Sequence, residues 1–498
     1  MTSAGDELSI DDEVATVREV RVAGPGREFL ADSEPVDIHI DAGQIIDIAP
    51  TGALPVRGAV FSGDGAWAVP GLWDNHVHTT QWALTAEREQ LGAMESAAQT
   101  ARHMASVAPL TDGRRIGTGF RDALWADAPS LETLDAATGD VPTYLINADV
   151  HSVWLNSAAL RRESFATPDG MLREEDAFEI SRRLNAVDPA HGDRAVTLAG
   201  TRAAARGVTG IVDFDMAWNA DAWERRVAEG FSSQRVEFAV YLADLGRAVA
   251  AGLRTGAPLA GSDGLVHMGS LKLITDGSLG TRTAACSQAY PHDSTDFGVM
   301  NLSQSELIDA LTVAAGAGLD AALHAIGDRA VASALDAAAA TGVSGTIEHV
   351  QLVRHIDIAR MARLGFAASV QSQHALDDRD LAEGLWAAQT AMRYPMASLL
   401  RAGVALRLGS DAPVAPLDPW VTIAAAVSRT DGERPRWDAQ EQISVDDALT
   451  ASARGAIRPG AVADLAVCGA DPQTASASAL RQMPVLATLL GGRVTHLA

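Results

Sequence analysis

Six side chains whose nitrogen or oxygen atoms can hold a divalent metal stand near the ends of apolar runs. They are His76, His78, Lys272, His324, His349 and Asp411. His76 and His78 are two residues apart, so on a strand both imidazoles point to the same face and can share one ion. One such histidine is weak support for a site. Four histidines and an aspartate at the ends of separate strands predict a site for Zn²⁺ or a similar divalent metal.

Lys272 is the only lysine among the 39 lysine and arginine residues of the chain. Arginine stays protonated, whereas a buried lysine amine can lose its proton and react. A protonated ammonium would repel a divalent ion. An amine that has reacted with CO₂ is instead a carbamate, an anionic oxygen ligand that can bridge two metals. A Schiff-base lysine is the competing interpretation, because that chemistry needs the same desolvated amine.

The elements that must position these donors alternate between short apolar strands and alanine-rich helices. Strand-like runs occupy residues 208–215, 236–243, 268–276, 319–327, 345–353, 366–374 and 404–413, and "AWAVPGLWDNHVH" completes a set of eight. This alternation predicts an α/β fold, a (β/α)8 TIM-type barrel over residues 69–450 with its chemistry at the C-terminal ends of the strands. A further strand at 142–152 falls in an expected insertion at about 85–205 that would cover the barrel mouth.

Both ends of the chain contain strand-like segments instead of alternating units. Residues 1–68 and 451–498 therefore predict one small composite β-sandwich domain built from both termini. The formal net charge of -25 disfavours nucleic acid and anionic membrane surfaces as partners. The two cysteines form no CxxC pair and the N-terminus has no signal-peptide pattern, so a cytoplasmic protein is expected. A homodimer is the default expectation for the oligomeric state.

Seven segments of the chain occur in a recognisable order: "VPGLWDNHVH", "DVHSVWLNSAAL", "GSLKLITDGSLG", "LHAIGDRA", "IEHVQL", "GSDAPV" and "PGAVADLAV". With them the chain resembles the amidohydrolase superfamily, and within it the YtcJ-like branch that includes N-substituted formamide deformylases. The resemblance runs over nearly the whole chain and implies the same barrel, a composite β-sandwich and a metal centre at the barrel mouth. The chain departs from the family in a compressed segment before "PGAVAD" and a short one after "LNSAAL".

The resemblance also implies roles for the six donors. His76 and His78 would bind the more buried metal, Lys272 would be a carboxylated bridging ligand, and His324 and His349 would bind a second metal. Asp411 would touch metal, take the proton from the attacking water and pass it to the leaving nitrogen. The implied activity is hydrolysis of a C–N amide-type bond in an N-acyl, N-formyl or cyclic amide, with one or two divalent metals, Zn²⁺ foremost.

Residues beside these motifs are expected to support the ligands or to contact the substrate. Asp74 is expected to orient a ligand histidine or cap a turn, and Asp328 to support His324 or cap a helix. The expected substrate contacts are His151, Trp154 and Asn156 in the insertion, and Asp276 and Ser278 after the lysine. Glu174 matches a family glutamate, but a solvated helix charge is the plainer interpretation. Tryptophans near the expected mouth, Trp82, Trp125, Trp154 and Trp218, indicate an apolar or aromatic substrate.

Several other activities remain open on this sequence. An esterase, lactonase or carbamate hydrolase would use the same centre. An adenosine-type deaminase is disfavoured, because Ala325, Ile326 and Gly327 follow His324 where that chemistry places a glutamate. A Schiff-base lyase centred on Lys272 and a non-catalytic binding protein are the other classes. The retention of all six donors argues against the last, and fold alone would not separate them.

Overall fold

The computed structural model describes residues 8–27 and 34–498. Its strands are β1 (Val14–Val22), β2 (Val36–Asp41), β3 (Gln44–Pro50), β4 (Ala59–Ser62), β5 (Trp67–Pro70), β6 (Leu72–Val77), β7 (Glu89–Gln90), β8 (Arg115–Phe120), β9 (Thr143–Asn147), β10 (Ser152–Leu155), β11 (Met171–Arg173), β12 (Val208–Asp213), β13 (Arg235–Tyr241), β14 (Val266–Ile274), β15 (Asp320–Ala325), β16 (Gly345–His349), β17 (Leu352–Val353), β18 (Ala367–Val370), β19 (Met392–Arg393), β20 (Leu406–Leu408), β21 (Leu465–Cys468), β22 (Val485–Leu490) and β23 (Arg493–Leu497). Its α-helices are α1 (Thr79–Thr85), α2 (Ala97–Ser106), α3 (Leu131–Thr138), α4 (Ser157–Glu163), α5 (Glu175–Asn185), α6 (Pro189–Ala204), α7 (Asn219–Ala228), α8 (Leu245–Ala250), α9 (Gln304–Ala317), α10 (Asp328–Thr341), α11 (His355–Leu364), α12 (Ser372–Asp377), α13 (Arg379–Leu385), α14 (Met396–Arg401), α15 (Pro419–Ser428), α16 (Val445–Ala451) and α17 (Ala477–Arg481).

Eight parallel strands form the barrel that carries the site. Their order is β6, β12, β13, β14, β15, β16, β18 and β20. Near the closing seam a parallel bridge joins Val77 to Ala412, and Asn75 Nδ2 donates a hydrogen bond of 2.7 Å to the Leu408 carbonyl. Every residue of β6 is buried, as expected for a strand covered on both faces. The predicted TIM-type barrel is therefore confirmed.

A second large sheet combines strands from both ends of the described chain. Its order is β23-β22-β21-β5-β1-β2-β3, and β4 pairs with β1. Val17 and Ile38 face each other across β1 and β2 and belong to its buried core with Val467 and Leu489. These valines, isoleucines and leucines suit a pleated surface with one buried face.

The segment between α1 and α6 forms a smaller subdomain. Its sheet has the order β11-β10-β9-β8-β7 and packs with α3, α4 and α5 around a core that includes Tyr144, Ile146 and Val153. Two side chains of this insertion reach the loop after β14. Asp149 accepts a hydrogen bond from Ser278 at 2.9 Å, and Glu174 accepts one from Thr283 at 2.6 Å. The insertion therefore contacts the barrel next to the strand that carries the lysine.

Two predicted strands have different bounds in the structure. The run 66–78 is two strands: β5 pairs with β1 and β21, whereas β6 pairs with β12, so only the second half belongs to the barrel. Gly71 separates them, and a Cβ there would lie 2.3 Å from Thr209 Oγ1, so the close approach needs a glycine. The predicted strand 366–374 ends at Val370, and α12 begins at Ser372.

Within residues 8–27 and 34–498, no helix is long and apolar enough to cross a membrane. The longest helix there, α6, has 16 residues.

Candidate metal centre

The side chains of His76 and His78, at the end of β6, both point toward the carboxylate of Asp411. His76 Nε2 lies 3.5 Å from Asp411 Oδ1, and His78 Nε2 lies 3.4 Å from the same oxygen. His76 is the penultimate residue of β6, and His78 immediately precedes α1. The two-residue spacing thus directs both rings to one point, as the side-chain alternation of a strand requires.

Asp411 is a buried carboxylate that its protein neighbours leave partly unsatisfied. Its Oδ1 atom has no hydrogen-bond partner in the described chain and is sealed from solvent. The backbone of Asp411 has a φ of 59°, a left-handed conformation that is rare for a residue other than glycine. An unpaired buried carboxylate oxygen and a strained backbone both cost free energy, and both concentrate at functional sites.

His349 completes a compact group of donors at the end of β16. One donor atom from each of His76, His349 and Asp411 lies within 4.8 Å of the others. His349 Nδ1 lies 4.0 Å from Asp411 Oδ2, and the rings of His76 and His349 have their centroids 5.0 Å apart. This spacing is compatible with three ligands around one ion.

His324 lies beside this group and not within it. Its ring centroid is 4.5 Å from that of His349, but its Nε2 atom is 3.3 Å from the Gly277 carbonyl and 3.6 Å from Asp276 Oδ1. In this conformation the Nε2 atom of His324 faces the loop after β14.

Lys272 is buried on β14 against the first histidine. Its Nζ atom lies 3.3 Å from His76 Nε2 and 4.2 Å from the centroid of the Phe214 ring. Only 2% of the residue is exposed, and this burial lowers the pKa of the amine to about 8. About a tenth of the amine is therefore unprotonated at pH 7, and this is the form that reacts with CO₂ or with a carbonyl.

One small space brings all the predicted donors together. It measures about 30 Å³, enough for a water-sized species, and it lies within the barrel mouth. The donors that line it are His76, His78, Lys272, His324, His349 and Asp411.

The protonation states of the donors fit a cation in this space. Burial lowers the pKa of His76, His324 and His349 well below the ordinary value, and neighbouring positive charges lower it further. Burial alone would raise the pKa of Asp411, but the neighbouring His78 ring, whose Nε2 atom lies 3.4 Å from Oδ1, outweighs it and lowers that pKa. Neutral imidazoles and an ionised carboxylate are the forms that bind a divalent metal. The donor set therefore fits such an ion.

Two residues outside the predicted set hold the histidine rings from behind. Glu348 Oε2 lies 2.7 Å from His76 Nδ1, and Gln371 Oε1 lies 2.9 Å from His349 Nδ1. Partners of this kind fix which ring nitrogen is free to bind metal. Strand alternation would send Glu348 and His349 to opposite faces, but His349 has a φ of 74°, which breaks the alternation. The only sequence signal for Glu348 was an acid directly before a donor histidine.

A cavity of about 430 Å³ adjoins the donors and is lined by both the barrel and the insertion. His324, His349 and Asp411 lie in its wall, together with His151 and Ser278 from the predicted substrate contacts. His151 Nδ1 lies 3.1 Å from Glu174 Oε2. Burial lowers the pKa of His151, but the charge and hydrogen bond of Glu174 outweigh it and raise that pKa to about 9. Glu174 is thus a partner of the cavity histidine and not a solvated helix charge.

The other predicted substrate contacts lie away from this cavity. Trp154 is fully buried in the insertion and donates its Nε1–H to the Ser130 carbonyl. Asn156 is also fully buried and caps α4 by accepting a hydrogen bond from the Ala159 backbone. Asp276 lies beneath the mouth, where its carboxylate accepts backbone N–H groups of Ala285, Ile326 and Gly327. These three side chains make hydrogen bonds with neighbouring backbone groups and do not line the cavity, so their role as substrate contacts stays a prediction.

The two predicted supporting aspartates also have backbone partners. Asp74 Oδ1 accepts hydrogen bonds from the backbone of His76 and Ser410, so it joins the two chain segments that carry donors without touching a histidine ring. Asp328 accepts a hydrogen bond from the Ser287 backbone at 2.7 Å.

Comparison with known proteins relates this architecture to a family. A family model described as "Amidohydrolase family" matches residues 60–496. The putative amidohydrolase YtcJ of Bacillus subtilis (strain 168) is 25% identical over 481 residues, which cover 87% of this chain and 89% of that protein. N-substituted formamide deformylase of Arthrobacter pascens is 26% identical over 496 residues, which cover 89% of this chain and 90% of that protein. A crystal structure of an uncharacterized metal-dependent hydrolase from Pyrococcus horikoshii OT3 shares the fold, with a TM-score of 0.77 and 23% identity over 93% of this chain and 99% of that one.

Proposed function

The chain belongs to the amidohydrolase family, and on that premise we propose that it is a metal-dependent enzyme that hydrolyses a C–N amide-type bond of a small molecule. The observation that carries the proposal is the small space lined by all six donors. One of them, Asp411, has a buried Oδ1 atom that accepts no hydrogen bond from the described chain. A likeness to an enzyme named for deformylation of N-substituted formamides favours N-formyl and N-acyl amides as the substrate class.

The residues that would hold the metal follow from their positions. His76, His349 and Asp411 would hold the first ion together with His78, and His324 would turn its Nε2 atom inward to help hold a second. Imidazole nitrogens and a carboxylate are ligands that suit Zn²⁺. When bound, such an ion supplies Lewis-acid polarisation of a carbonyl and lowers the pKa of water.

Lys272 would join this set as a carbamate. The unprotonated Nζ atom attacks CO₂, an N–C bond forms, and the amine loses one proton, which leaves an anionic carboxylate on the side chain. The position of Nζ, 3.3 Å from His76 Nε2, and the lowered pKa of the amine both support this assignment. Arginine could not take this role, because its guanidinium stays protonated.

Proton transfer would be carried by Asp411. Its pKa is lowered and its Oδ1 atom accepts no hydrogen bond from the described chain, so it can accept a proton from the attacking water and return it to the leaving nitrogen. Glu348 and Gln371 hold the rings of His76 and His349 during this transfer. Residues of the insertion line the cavity and would limit bulk water around the reacting groups.

The cavity favours a small polar substrate. Its volume of about 430 Å³ lies in the range of small-molecule sites. Of the four tryptophans that indicated an apolar substrate, only Trp125 lines it. Charged and polar side chains contribute more of its wall, among them Arg121, Asp122, Asp149, Arg282 and Asp377.

The proposal is tested by metal analysis combined with a substrate panel. The purified protein is expected to contain one or two equivalents of divalent metal and to hydrolyse N-formyl or N-acyl amides, with activity lost on chelation and restored by Zn²⁺. Asp411→Asn should lower kcat by about 10²- to 10⁴-fold. Asp380→Asn, which changes an exposed aspartate paired with Arg434, is the control and should leave kcat unchanged.

Two outcomes would count against this function. Full activity after complete metal removal would exclude a metal-dependent mechanism. Hydrolysis of the matched esters with no hydrolysis of any amide would favour the esterase alternative on the same centre.

A further inference from the structure

His374 is a buried histidine at the cavity with no hydrogen-bond partner for its ring. Only 5% of the residue is exposed, and its Nε2 atom is sealed from solvent without a partner in the described chain. Its Nδ1 atom makes no hydrogen bond within residues 8–27 and 34–498 either. The residue nevertheless lines the 430 Å³ cavity with His349 and Asp411.

The rest of α12 shows that this lack of partners is particular to His374. Ser372 donates to the Thr422 carbonyl at 2.6 Å, and Gln373 Nε2 donates to Asp377 at 2.9 Å. Asp377 also pairs with Arg121 at 3.1 Å. The polar neighbours of His374 on the helix are therefore satisfied. Leaving a polar group buried and unpaired costs folding free energy, so such a group calls for a reason such as a bound ligand.

His374 is the last of four imidazoles that lie in a row in the wall of the cavity. Four imidazoles follow one another across the cavity wall, His151, His324, His349 and His374, with centroid spacings of 5.7, 4.5 and 6.4 Å. Lys272 lies close to His76, whereas His374 lies beyond His349, whose Nδ1 atom is 4.0 Å from Asp411 Oδ2. His374 thus lies beyond His349 in the wall of the cavity that Asp411, the group proposed to return the proton to the leaving nitrogen, also lines.

We propose that His374 accepts a hydrogen bond from the N–H of the scissile amide, holds the leaving nitrogen beside Asp411 and so selects amides that carry an N–H. An imidazole ring can accept a hydrogen bond through one of its two nitrogens. Esters and N-methylated amides lack the N–H and would leave the ring unpaired in the complex. This inference rests on the proposed amide hydrolysis and specifies its substrate class.

The test compares three matched pairs of substrates with wild type and His374→Leu. The substrates are the formyl and acetyl amides of phenethylamine, their N-methyl counterparts and the corresponding phenethyl esters. Wild type should prefer the N–H amide. His374→Leu should lose about 10- to 100-fold in kcat/KM on that amide and less than about threefold on the ester, since one buried hydrogen bond is removed. Its metal content should be unchanged.

Stability measured together with substrate preference supplies a second readout, because a purely structural role would change the stability alone. His374→Leu removes an unpaired buried polar group, so its unfolding temperature should rise while the amide preference falls. His39→Leu is the control, because His39 is 3% exposed in the terminal sheet and both of its ring nitrogens also lack partners. That variant should gain stability without any change in substrate preference.

The outcomes separate this inference from the proposed function. An equal loss on amide and ester, or a loss of metal by His374→Leu, would overturn the role of His374 while leaving amide hydrolysis intact. If wild type hydrolyses none of the substrates, the proposed function fails. Saturation-transfer NMR of N-phenethylformamide with wild type and His374→Leu then decides the inference: equal binding contradicts it, and weaker binding by the variant supports it.

Discussion

Glu348 Oε2 lies 2.7 Å from His76 Nδ1, and both residues are 1% exposed. The carboxylate therefore directs the other ring nitrogen, Nε2, toward Asp411 and Lys272. Burial raises the pKa of Glu348, and the charge of Lys272 opposes this rise. The pair has the form of a carboxylate that orients a metal-binding imidazole.

Glu348→Gln should weaken metal binding while leaving the fold intact. The amide can still accept a hydrogen bond, but it cannot raise the basicity of the imidazole as a carboxylate does. We expect a 10- to 100-fold loss of Zn²⁺ affinity, measured by competition with a chelator. Glu237→Gln, a change on β13 at an exposed pair with Arg454, is the control and should bind metal as wild type does. Unchanged affinity in Glu348→Gln would show that the pair is only structural.

Lys272→Arg should lose both metal and activity. The larger guanidinium keeps its charge in a buried position beside His76 Nε2 and cannot form a carbamate. We expect metal affinity to fall by about 10²-fold or more, because losing even a residue that only hydrogen-bonds to a metal ligand can lower the affinity by that factor. Atomic absorption and the rate of amide hydrolysis report the two losses.

The single lysine also makes the competing chemistry easy to exclude. Borohydride trapping of a carbonyl substrate would label Lys272 as the only side-chain amine of the chain. A trapped adduct together with metal-independent activity would establish the Schiff-base alternative. Full metal content and full activity in Lys272→Arg would instead refute the carbamate.

Asp74→Asn should change how stability depends on pH. Burial raises the pKa of Asp74 to about 7, although hydrogen bonds from Ser410 and His76 lower it in part. The unfolded value is about 3.9, so the folded protein holds this proton to higher pH. Stability from Asp74 is therefore fully present below about pH 4 and is lost as pH rises through about 7.

The asparagine variant removes this dependence because its amide oxygen can keep both backbone hydrogen bonds without a charge. Three pKa units correspond to about 4 kcal/mol at most. Between pH 4 and pH 8, we expect the unfolding free energy of metal-free wild type to fall by up to about 4 kcal/mol more than that of Asp74→Asn. Urea unfolding at both pH values measures this difference. A difference between the two proteins that stays constant with pH would contradict the assignment.

Asn156→Ala should destabilise the insertion without a direct effect on catalysis. Asn156 caps α4, and its Nδ2 atom donates to Gly139 and Val141 carbonyls at 3.1 and 2.9 Å. Losing these bonds should cost roughly 2–4 kcal/mol of unfolding free energy. At a temperature where the variant is folded, KM should match wild type. A raised KM at that temperature, together with normal stability, would indicate that Asn156 contacts the substrate.

Much of the architecture could be predicted because it depends on local patterns. Alternating apolar strands and helices indicated the barrel, and the family match confirms the resemblance that seven short motifs suggested. Strand ends were the right places to look for donors, because parallel strands in a barrel bring their C-terminal ends to one mouth. Regular periodicity carries this information over short stretches of sequence.

Several residues have surroundings in the structure that the sequence did not indicate. Trp154 and Asn156 belong to a recognisable motif, yet their side chains satisfy backbone groups of the insertion. Glu348 was overlooked because a left-handed φ at His349 overrides strand alternation. His374 was read as part of a strand that in fact ends at Val370 and turns into α12. The surroundings of Glu348 and His374 depend on local departures from strand periodicity, which residue propensities do not reveal.

The amino-acid sequence by itself determined the barrel, the six donors and the unusual status of the one lysine. Tertiary structure alone decided which nitrogen of each histidine is free, which carboxylate oxygen lacks a partner, and which side chains reach the cavity. The reason is that element type follows from the periodicity of neighbouring residues. A hydrogen bond such as that between His76 and Glu348 instead joins residues 272 positions apart and exists only once the barrel has closed.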